Sequence, residues 1–343
     1  MTAKIAICLA TFNGARFLPE QLQSIAMQSH ADWHLYVRDD NSSDGSVEIL
    51  SDFAFCFPDR VTIIQDDRGR LGAQENFACL METVNEPYIA FADQDDIWRP
   101  QKLARAFAQL RKIERNHGPD IPAMVHADRR LIDASGREIA SSYWQSRGIR
   151  PAQFTTVENH YNFCLAAGST MLINRPLMTL SLPVPTEARM YDCWIELVAH
   201  ALGVVDWLDD IALDHRRHGA NASGSAQDNN SAAARRPIAR AARLLRNLQL
   251  QQSVYARYMA QASAFRLRFH SQLATSTLRR LDSYLSVSGH RLPRRIWKLL
   301  FNHAAPPGKA RFLVFSILSG GLKSKSSTYS SLTPMLPEER KVA

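Results

Sequence analysis

The chain has 343 residues, 45% of them apolar and 22% charged, with 15 Gly and 16 Pro. This ordinary globular composition excludes a collagen-like or low-complexity chain, and the length suits one large domain with an appendage, or two domains. The net charge of +8 averages two unlike parts: residues 1–234 hold 21 Lys and Arg against 30 Asp and Glu, a net of −9, whereas residues 235–325 hold 18 Lys and Arg against one acid, Asp282, a net of +17.

Lys4 to Ala10 is predicted to be a first strand, and Phe17, Leu18, Leu22, Ile25 and Ala26 recur at the three- and four-residue spacing of a helix. Trp33 to Val37 is a second strand, ending in the turn-rich Arg38 to Gly45, with a helix from about Ser46. Val61 to Ile64, a helix over Gly72 to Val84, and Tyr88 to Ala92 running into Asp93 complete an alternation of strand and helix. That alternation predicts an α/β fold with a mostly parallel central sheet. Ligand crevices in such sheets lie at the carboxyl ends of the strands, which gathers Thr11 to Asn13, Asp39 to Asn41, Asp66 to Gly72 and Asp93 to Asp96 on one rim.

Further along, a helix is expected near Lys102 to Arg115, a strand at Ala123 to His126, a loop around Pro183 to Pro185, a helix over Cys193 to Leu202 and a strand near Val204 to Leu208. Ala222 to Ala234, rich in Ala, Ser, Asn and Gln, is the predicted linker. Beyond it Tyr258, Ala262, Phe265, Phe269 and Leu273 keep helical spacing, so residues 235–325 are expected to be basic amphipathic helices and residues 326–343 a flexible tail. Cys8, Cys56, Cys79, Cys164 and Cys193 contain no Cys-x-x-Cys pair and fit neither a disulfide framework nor a zinc site, which points to a reducing compartment. No secretory signal is read at the N-terminus, and the apolar run Phe312 to Leu318 falls short of the roughly 20 residues that cross a bilayer.

The strongest chemical signal is Phe91-Ala92-Asp93-Gln94-Asp95-Asp96-Ile97-Trp98, three carboxylates in four positions directly after a buried strand. So much negative charge at a sheet edge is unfavourable without a cation, and Mg²⁺ or Mn²⁺ takes one or two carboxylates plus substrate phosphates. The bland reading is a solvated acidic turn before a helix.

Several spaced motifs, in order, resemble the family-2 nucleotide-sugar glycosyltransferases over about residues 4–224: Ala10-Thr11-Phe12-Asn13-Gly14, Gln21 to Ile25 with Gln28, Asp39 to Asp44, Gly72 with Asn76 and Phe77, and Asp93 to Trp98 with Pro100 and Lys102. The resemblance implies a glycosyltransferase A-type fold, with a catalytic domain over residues 1–221 divided at about residue 100 into a nucleotide-sugar part and an acceptor part. It implies that Thr11, Phe12, Asn13, Asp40, Gly72, Asn76, Asp93 and Arg216 bind the nucleotide sugar, Phe12 by stacking on the base and Asp40 by accepting from its imide N–H. Asp95, Asp93 and His218 are the implied ligands of Mn²⁺ or Mg²⁺, a Lewis acid for the departing diphosphate. Asp192, in Tyr191-Asp192-Cys193-Trp194, is the implied general base of an inverting displacement on an acceptor hydroxyl. Arg216 could pair with phosphate oxygens. His215 and Arg217 depart from the family's Tyr and Gln in the corresponding element.

The pattern is most similar to a rhamnosyltransferase-like branch building bacterial surface polysaccharide such as O-antigen. It implies dTDP-β-L-rhamnose as donor and a lipid-linked acceptor, with UDP-sugars an open alternative. The basic region suits an anionic membrane surface at about 1 kcal/mol per residue, which would make the protein cytoplasmic and peripheral on the inner membrane. Alternatively, those helices pack on the acidic domain. No nucleic-acid-binding motif is present, and a nucleotidyltransferase would need a Gly-rich phosphate loop that is absent after the first strand. The non-enzymatic alternative is a nucleotide-binding scaffold.

Overall fold

The computed structural model describes residues 3–219 and 237–287, with side chains in the second span from residue 253. The expected linker 222–234, the tail 326–343 and residues 288–325 of the basic region lie outside the described residues.

Ile5–Thr11 forms β1, Trp33–Asp39 β2, Val61–Ile63 β3 and Tyr88–Asp93 β4, joined through helices α1 (Leu18–Ala26), α2 (Ser46–Cys56) and α3 (Ala73–Thr83). These strands pair in parallel in the order β3-β2-β1-β4. β1 is buried on both faces: Ile5, Ile7 and Leu9 enter one core while Ala6 and Cys8 enter the other, the period of two that a covered strand requires. Its register places Thr11 beside Asp39 and Ala10 beside Asp93, so the carboxyl ends form the expected rim.

The second half departs from the parallel expectation. Ile97–Trp98 forms β5, Lys102–His117 α4, Ala123–Asp133 β6, Glu138–Ala140 β7, Tyr143–Arg147 α5, Leu172–Asn174 β8, Arg175–Ser181 α6, Tyr191–Leu202 α7 and Val204–Arg217 β9. The single sheet is mixed, in the order β3-β2-β1-β4-β8-β6-β9-β5 with β7 on β6. β6 and β9 pair in parallel, while β8 is antiparallel to both β4 and β6, and β5 to β9. β5, β7 and β8 are as short as β3 but lack the β-branched run that marks Val61 to Ile64, so they are not legible in sequence.

β9 runs far beyond the expected Val204 to Leu208 because the acids that break its apolar pattern are satisfied by neighbouring elements. Asp214 accepts from Arg130 Nε at 2.8 Å and from Arg99 Nη2 at 2.9 Å, and Gln109 Nε2 on α4 donates to Asp206 at 2.5 Å.

Pro237–Phe269 forms α8 and Thr275–Leu285 α9. Tyr255, Ala262, Phe265, Phe269, Leu281 and Tyr284 are buried in the same core as α3, α6 and α7, and Tyr258 is buried outside it. The Trp194 ring on α7 meets Phe265 and Phe269 at centroid distances of 6.1 and 6.0 Å. Over residues 253–287, therefore, the apolar stripe faces the domain, as the alternative reading of the basic region requires. Among the described residues no helix is long and apolar enough to cross a membrane.

Candidate active site

At the rim, Thr11 Oγ1 donates to Asp39 Oδ1 at 2.9 Å, and Asp40 N–H donates to the Thr11 carbonyl at 2.8 Å. Asp40 is buried and organises the loop after β3: Leu71 N–H donates to its Oδ1 at 2.6 Å and Gly72 N–H to its Oδ2 at 2.7 Å. Gly72 has φ +82°, a conformation that favours glycine, at the N-cap of α3. Behind Asp40, the buried Arg38 donates through Nε and Nη2 to Asp66, both at 2.8 Å, and through Nη1 to Asp40 at 3.1 Å and to Asn76 at 3.3 Å. Arg38 holds Asp66 well below the ordinary carboxylate range. Asn76, expected to bind donor, returns a hydrogen bond from Nδ2 to the Arg38 carbonyl at 3.2 Å. Phe12 is half-buried, with the Arg70 guanidinium 3.9 Å from its ring centroid, and Asn13 beside it is exposed at φ +47°.

β4 delivers Asp93, and the turn to β5 carries Asp95 and Asp96. β5 pairs with β9, Ile97 opposite Asp214, and this draws His215, Arg216 and His218 against the acids. His218 Nε2 lies 2.7 Å from Asp95 Oδ2, and His215 Nδ1 lies 2.9 Å from Asp96 Oδ1. Burial, then Asp96 and Asp95, push the Asp93 carboxyl up to about 7. Asp95 is raised by burial and Asp96, against His218. His215, which burial alone would lower, is raised by Asp96. Lys102 lies below the turn with Nζ 3.3 Å from the Trp98 ring centroid, and burial lowers it to about 7 against the pull of Asp96 and Asp93.

These residues suit a divalent cation. The carboxyls repel one another, and the buried Asp96 Oδ2 has no hydrogen-bond partner. Among the described residues Asp93, Asp95 and His218 do not converge as a three-ligand cage. A Mg²⁺ or Mn²⁺ site completed by substrate phosphates and water does not need one.

Arg216, expected to bind the nucleotide sugar, stands against the acidic turn. Its guanidinium is buried, donating from Nε to the Asp95 carbonyl at 3.1 Å and from Nη2 to Glu20, with Cζ 4.7 Å from the Phe17 ring centroid. Its described contacts therefore brace the acidic turn.

Asp192 stands in the first turn of α7. Gly168 N–H donates to its Oδ2 at 3.1 Å and Cys193 N–H to its Oδ1 at 2.7 Å, while burial raises its pKa. Gly168 is required there, since a Cβ would stand 2.0 Å from the Tyr191 hydroxyl oxygen. Tyr191 stacks on Phe77 of α3 at 4.2 Å, which ties the start of α7 to the nucleotide half. Asp192 is also the least of the charges that act on Asp93. A cavity of ≈ 310 Å³ lies elsewhere, lined by Arg99, Lys102, Arg105 and His126 and by none of these acids.

Residues 6–165 match the family described as Glycosyl transferase family 2. Over that segment the chain resembles family 2 of the glycosyltransferases. The chain is 27% identical over 224 residues to the uncharacterized glycosyltransferase alr2836 of Nostoc sp., covering 64% of this chain and 66% of that one. It is 37% identical over 101 residues to the dTDP-rhamnosyl transferase RfbG of Shigella flexneri, covering 29% of this chain and 35% of that one. The aligned parts thus fall short of two thirds of either relative's length. The solved mannosyltransferase PcManGT of Pyrobaculum calidifontis, in complex with GDP-Man and Mn²⁺, superposes with a TM-score of 0.51 at 15% identity, covering 93% of this chain and 87% of that one. The fold is thus the glycosyltransferase A type.

Two residues of the candidate site escaped sequence reasoning. Arg38 stands within β2, where a cation on a buried strand just before Asp39 and Asp40 was the available signal. Gln94 bonds both backbone groups of Phe12, and nothing in the spacing announces that contact.

Proposed function

We propose that the chain is a metal-dependent inverting glycosyltransferase that transfers a sugar from a nucleoside diphosphate to a hydroxyl of a growing, lipid-linked bacterial surface glycan. The favoured donor is dTDP-β-L-rhamnose. The observation that carries the reading is the row of carboxyls at the end of β4, with His218 Nε2 2.7 Å from Asp95 Oδ2, together with Asp192 in the first turn of α7, held by the N–H groups of Gly168 and Cys193. One carboxylate group serves the leaving diphosphate and the other the attacking hydroxyl.

Asp95 and Asp93, with His218 beside Asp95, would hold Mn²⁺ or Mg²⁺. That ion, when bound, supplies Lewis-acid stabilisation of the charge on the departing diphosphate. Phe12 offers an aromatic face to the base, Asn13 stands beside it at the open edge, and Asp40 holds the loop that closes the base pocket. Asp192 accepts the proton of the acceptor hydroxyl. Burial moves its pKa toward the working pH, and two backbone N–H groups fix its direction while leaving lone pairs for that proton. Attack from the Asp192 side, opposite the diphosphate, inverts the anomeric centre.

The likeness to a dTDP-rhamnosyl transferase over 29% of the chain supports rhamnose as the donor sugar. The +17 of residues 235–325 supports a peripheral position on the cytoplasmic face of the inner membrane, where a lipid-linked acceptor would be met. The test is incubation with Mn²⁺ or Mg²⁺ and a panel of dTDP-β-L-rhamnose, UDP-glucose, UDP-galactose and UDP-N-acetylhexosamine, reading hydrolysis and thermal protection. Protection by dTDP-rhamnose alone is expected. Protection by a UDP-sugar alone overturns the donor assignment, and protection by none overturns the transferase reading.

A further inference from the structure

The cavity of ≈ 310 Å³ lies between the start of α4 and an irregular stretch of β9. Leu208 stands opposite Ala127 and Ile211 opposite Asp128, so Asp209 and Asp210 are two residues without a counterpart on β6. A bulge of this kind bends its strand and re-aims the side chains beside it. Leu208, Asp210 and Ile211 all line the cavity. Arg105, one turn into α4, pairs with Asp210, and with both side chains about half exposed this ion pair marks the mouth.

Lys102, the first residue of α4, lines the same cavity and is only 5% exposed. Its ammonium carries three N–H donors. Among the described residues it makes no ion pair and no side-chain hydrogen bond, and what it meets is the face of Trp98, 3.3 Å from the ring centroid. A ring face offsets part of the charge but leaves the N–H donors without a lone pair. Asp96 and Asp93 pull on the ammonium from beyond ion-pair distance, and neither lines the cavity. A buried ammonium in this state is costly unless an anion stands beside it.

The other basic groups around the cavity are matched or uncharged. Arg99 Nη2 donates to Asp214 at 2.9 Å, Arg105 is held by Asp210, and burial lowers His126 to about 4, which keeps that ring neutral. Lys102 is thus the one lining cation without an acid of its own among the described residues. Pro100, Ala106, Ala127, Leu208, Ile211 and Ala212 make the wall apolar, and the first turn of α4 adds the positive end of a helix dipole. One ammonium in an apolar chamber matches one negative charge. A phosphate dianion needs more donors than this wall offers, and a neutral apolar molecule leaves the ammonium unmatched. The volume stands at the small end of the roughly 300–1,000 Å³ of small-molecule sites, enough for a six-membered ring and its charged substituent.

We propose that this cavity binds a small organic monocarboxylate, with the carboxylate on the Lys102 ammonium and the apolar body against Ala106, Ala127 and Ile211. The site is separate from the donor rim, since none of Asp93, Asp95, Asp96 and Asp192 lines it. It is therefore independent of which sugar the rim accepts.

The test titrates the full chain with benzoate by calorimetry and follows the thermal midpoint, with benzamide as the neutral isostere and inorganic phosphate as the bare anion. Benzoate is expected to bind at one site per chain and to raise the midpoint, and benzamide and phosphate to bind about tenfold more weakly or worse. Lys102→Met keeps the stem and removes the charge, whereas Ala106→Leu keeps the charge and fills the chamber. Each should weaken benzoate about tenfold or more. Replacing Arg294, Arg295 and Lys298 with Ser should leave benzoate binding unchanged, which separates the cavity from the basic region. Absence of benzoate binding to the parent overturns the proposal, as does equal binding of benzamide or phosphate, loss of binding in the triple Ser variant, or unchanged affinity in a folded Lys102→Met or Ala106→Leu variant. Should Lys102→Met fail to fold, Ala106→Leu and the comparison with benzamide still decide.

Discussion

Gln94 clamps Phe12 at both ends of its peptide unit: Phe12 N–H donates to Gln94 Oε1 at 2.8 Å, and Gln94 Nε2 donates to the Phe12 carbonyl at 3.0 Å. The acidic turn thereby holds the aromatic residue proposed to take the base. Gly14 is what lets the amide in, since a Cβ there would stand 2.4 Å from Oε1. Gln94→Ala is expected to raise the donor KM severalfold with a smaller change in kcat, and to lower stability by about 1–2 kcal/mol through the two lost bonds. Gly14→Ala should give the same KM effect by expelling the amide. Steady-state kinetics and urea unfolding check both.

Asp95→Ala should abolish turnover and the added thermal protection that nucleotide sugar gives in the presence of Mn²⁺. His218→Ala should weaken metal dependence and spare folding, because His218 is a partly exposed partner of Asp95 just past the end of β9. Activity against Mn²⁺ concentration separates the two.

Asp192→Asn should lower kcat by about 10²–10⁴-fold, the usual contribution of a general base, with donor affinity little changed. The substitution keeps the side-chain oxygen that can accept from Gly168 or Cys193. Calorimetric donor binding beside single-turnover rates tests the split.

The pH dependence of stability follows from Asp93, whose folded value of about 7 stands above the unfolded value near 4. A raised group stabilises the fold fully below its unfolded value and loses that contribution as pH rises through the folded value. His215, also raised, acts with the same sign. Metal-free protein should therefore melt at progressively lower temperature from pH 5 to pH 8. Added Mn²⁺ should raise the midpoint more at pH 8 than at pH 5, as scanning calorimetry would show.

Phe265 is fully buried against Trp194, so Phe265→Ala should cost about 3–5 kcal/mol. Truncation after Ala234 should likewise unfold or aggregate the domain, because it removes the core side chains from Tyr255 onward. Membrane attachment is better tested by replacing Arg294, Arg295 and Lys298 with Ser. Salt-sensitive binding to anionic liposomes should weaken while the melting temperature holds.

The alternation from Lys4 to Asp93, the rim of Thr11, Asp40 and Asp93, and the helical spacing of Tyr258 to Leu273 could be read from the chain alone. Each is a local pattern: side-chain period and turn chemistry act over a few residues and need no distant partner. What tertiary structure decided lies where the partner is remote in sequence. Asp214 is at home in a strand because Arg99 and Arg130 meet it there, and β8 exists only between β4 and β6. The bonds of Arg216 to Glu20 and to the Asp95 carbonyl likewise join residues far apart in the chain. The same apolar stripe on α8 could have met lipid or protein. Its periodicity is identical in both cases, and the burial of Phe265 and Phe269 against Trp194 settles which one it meets.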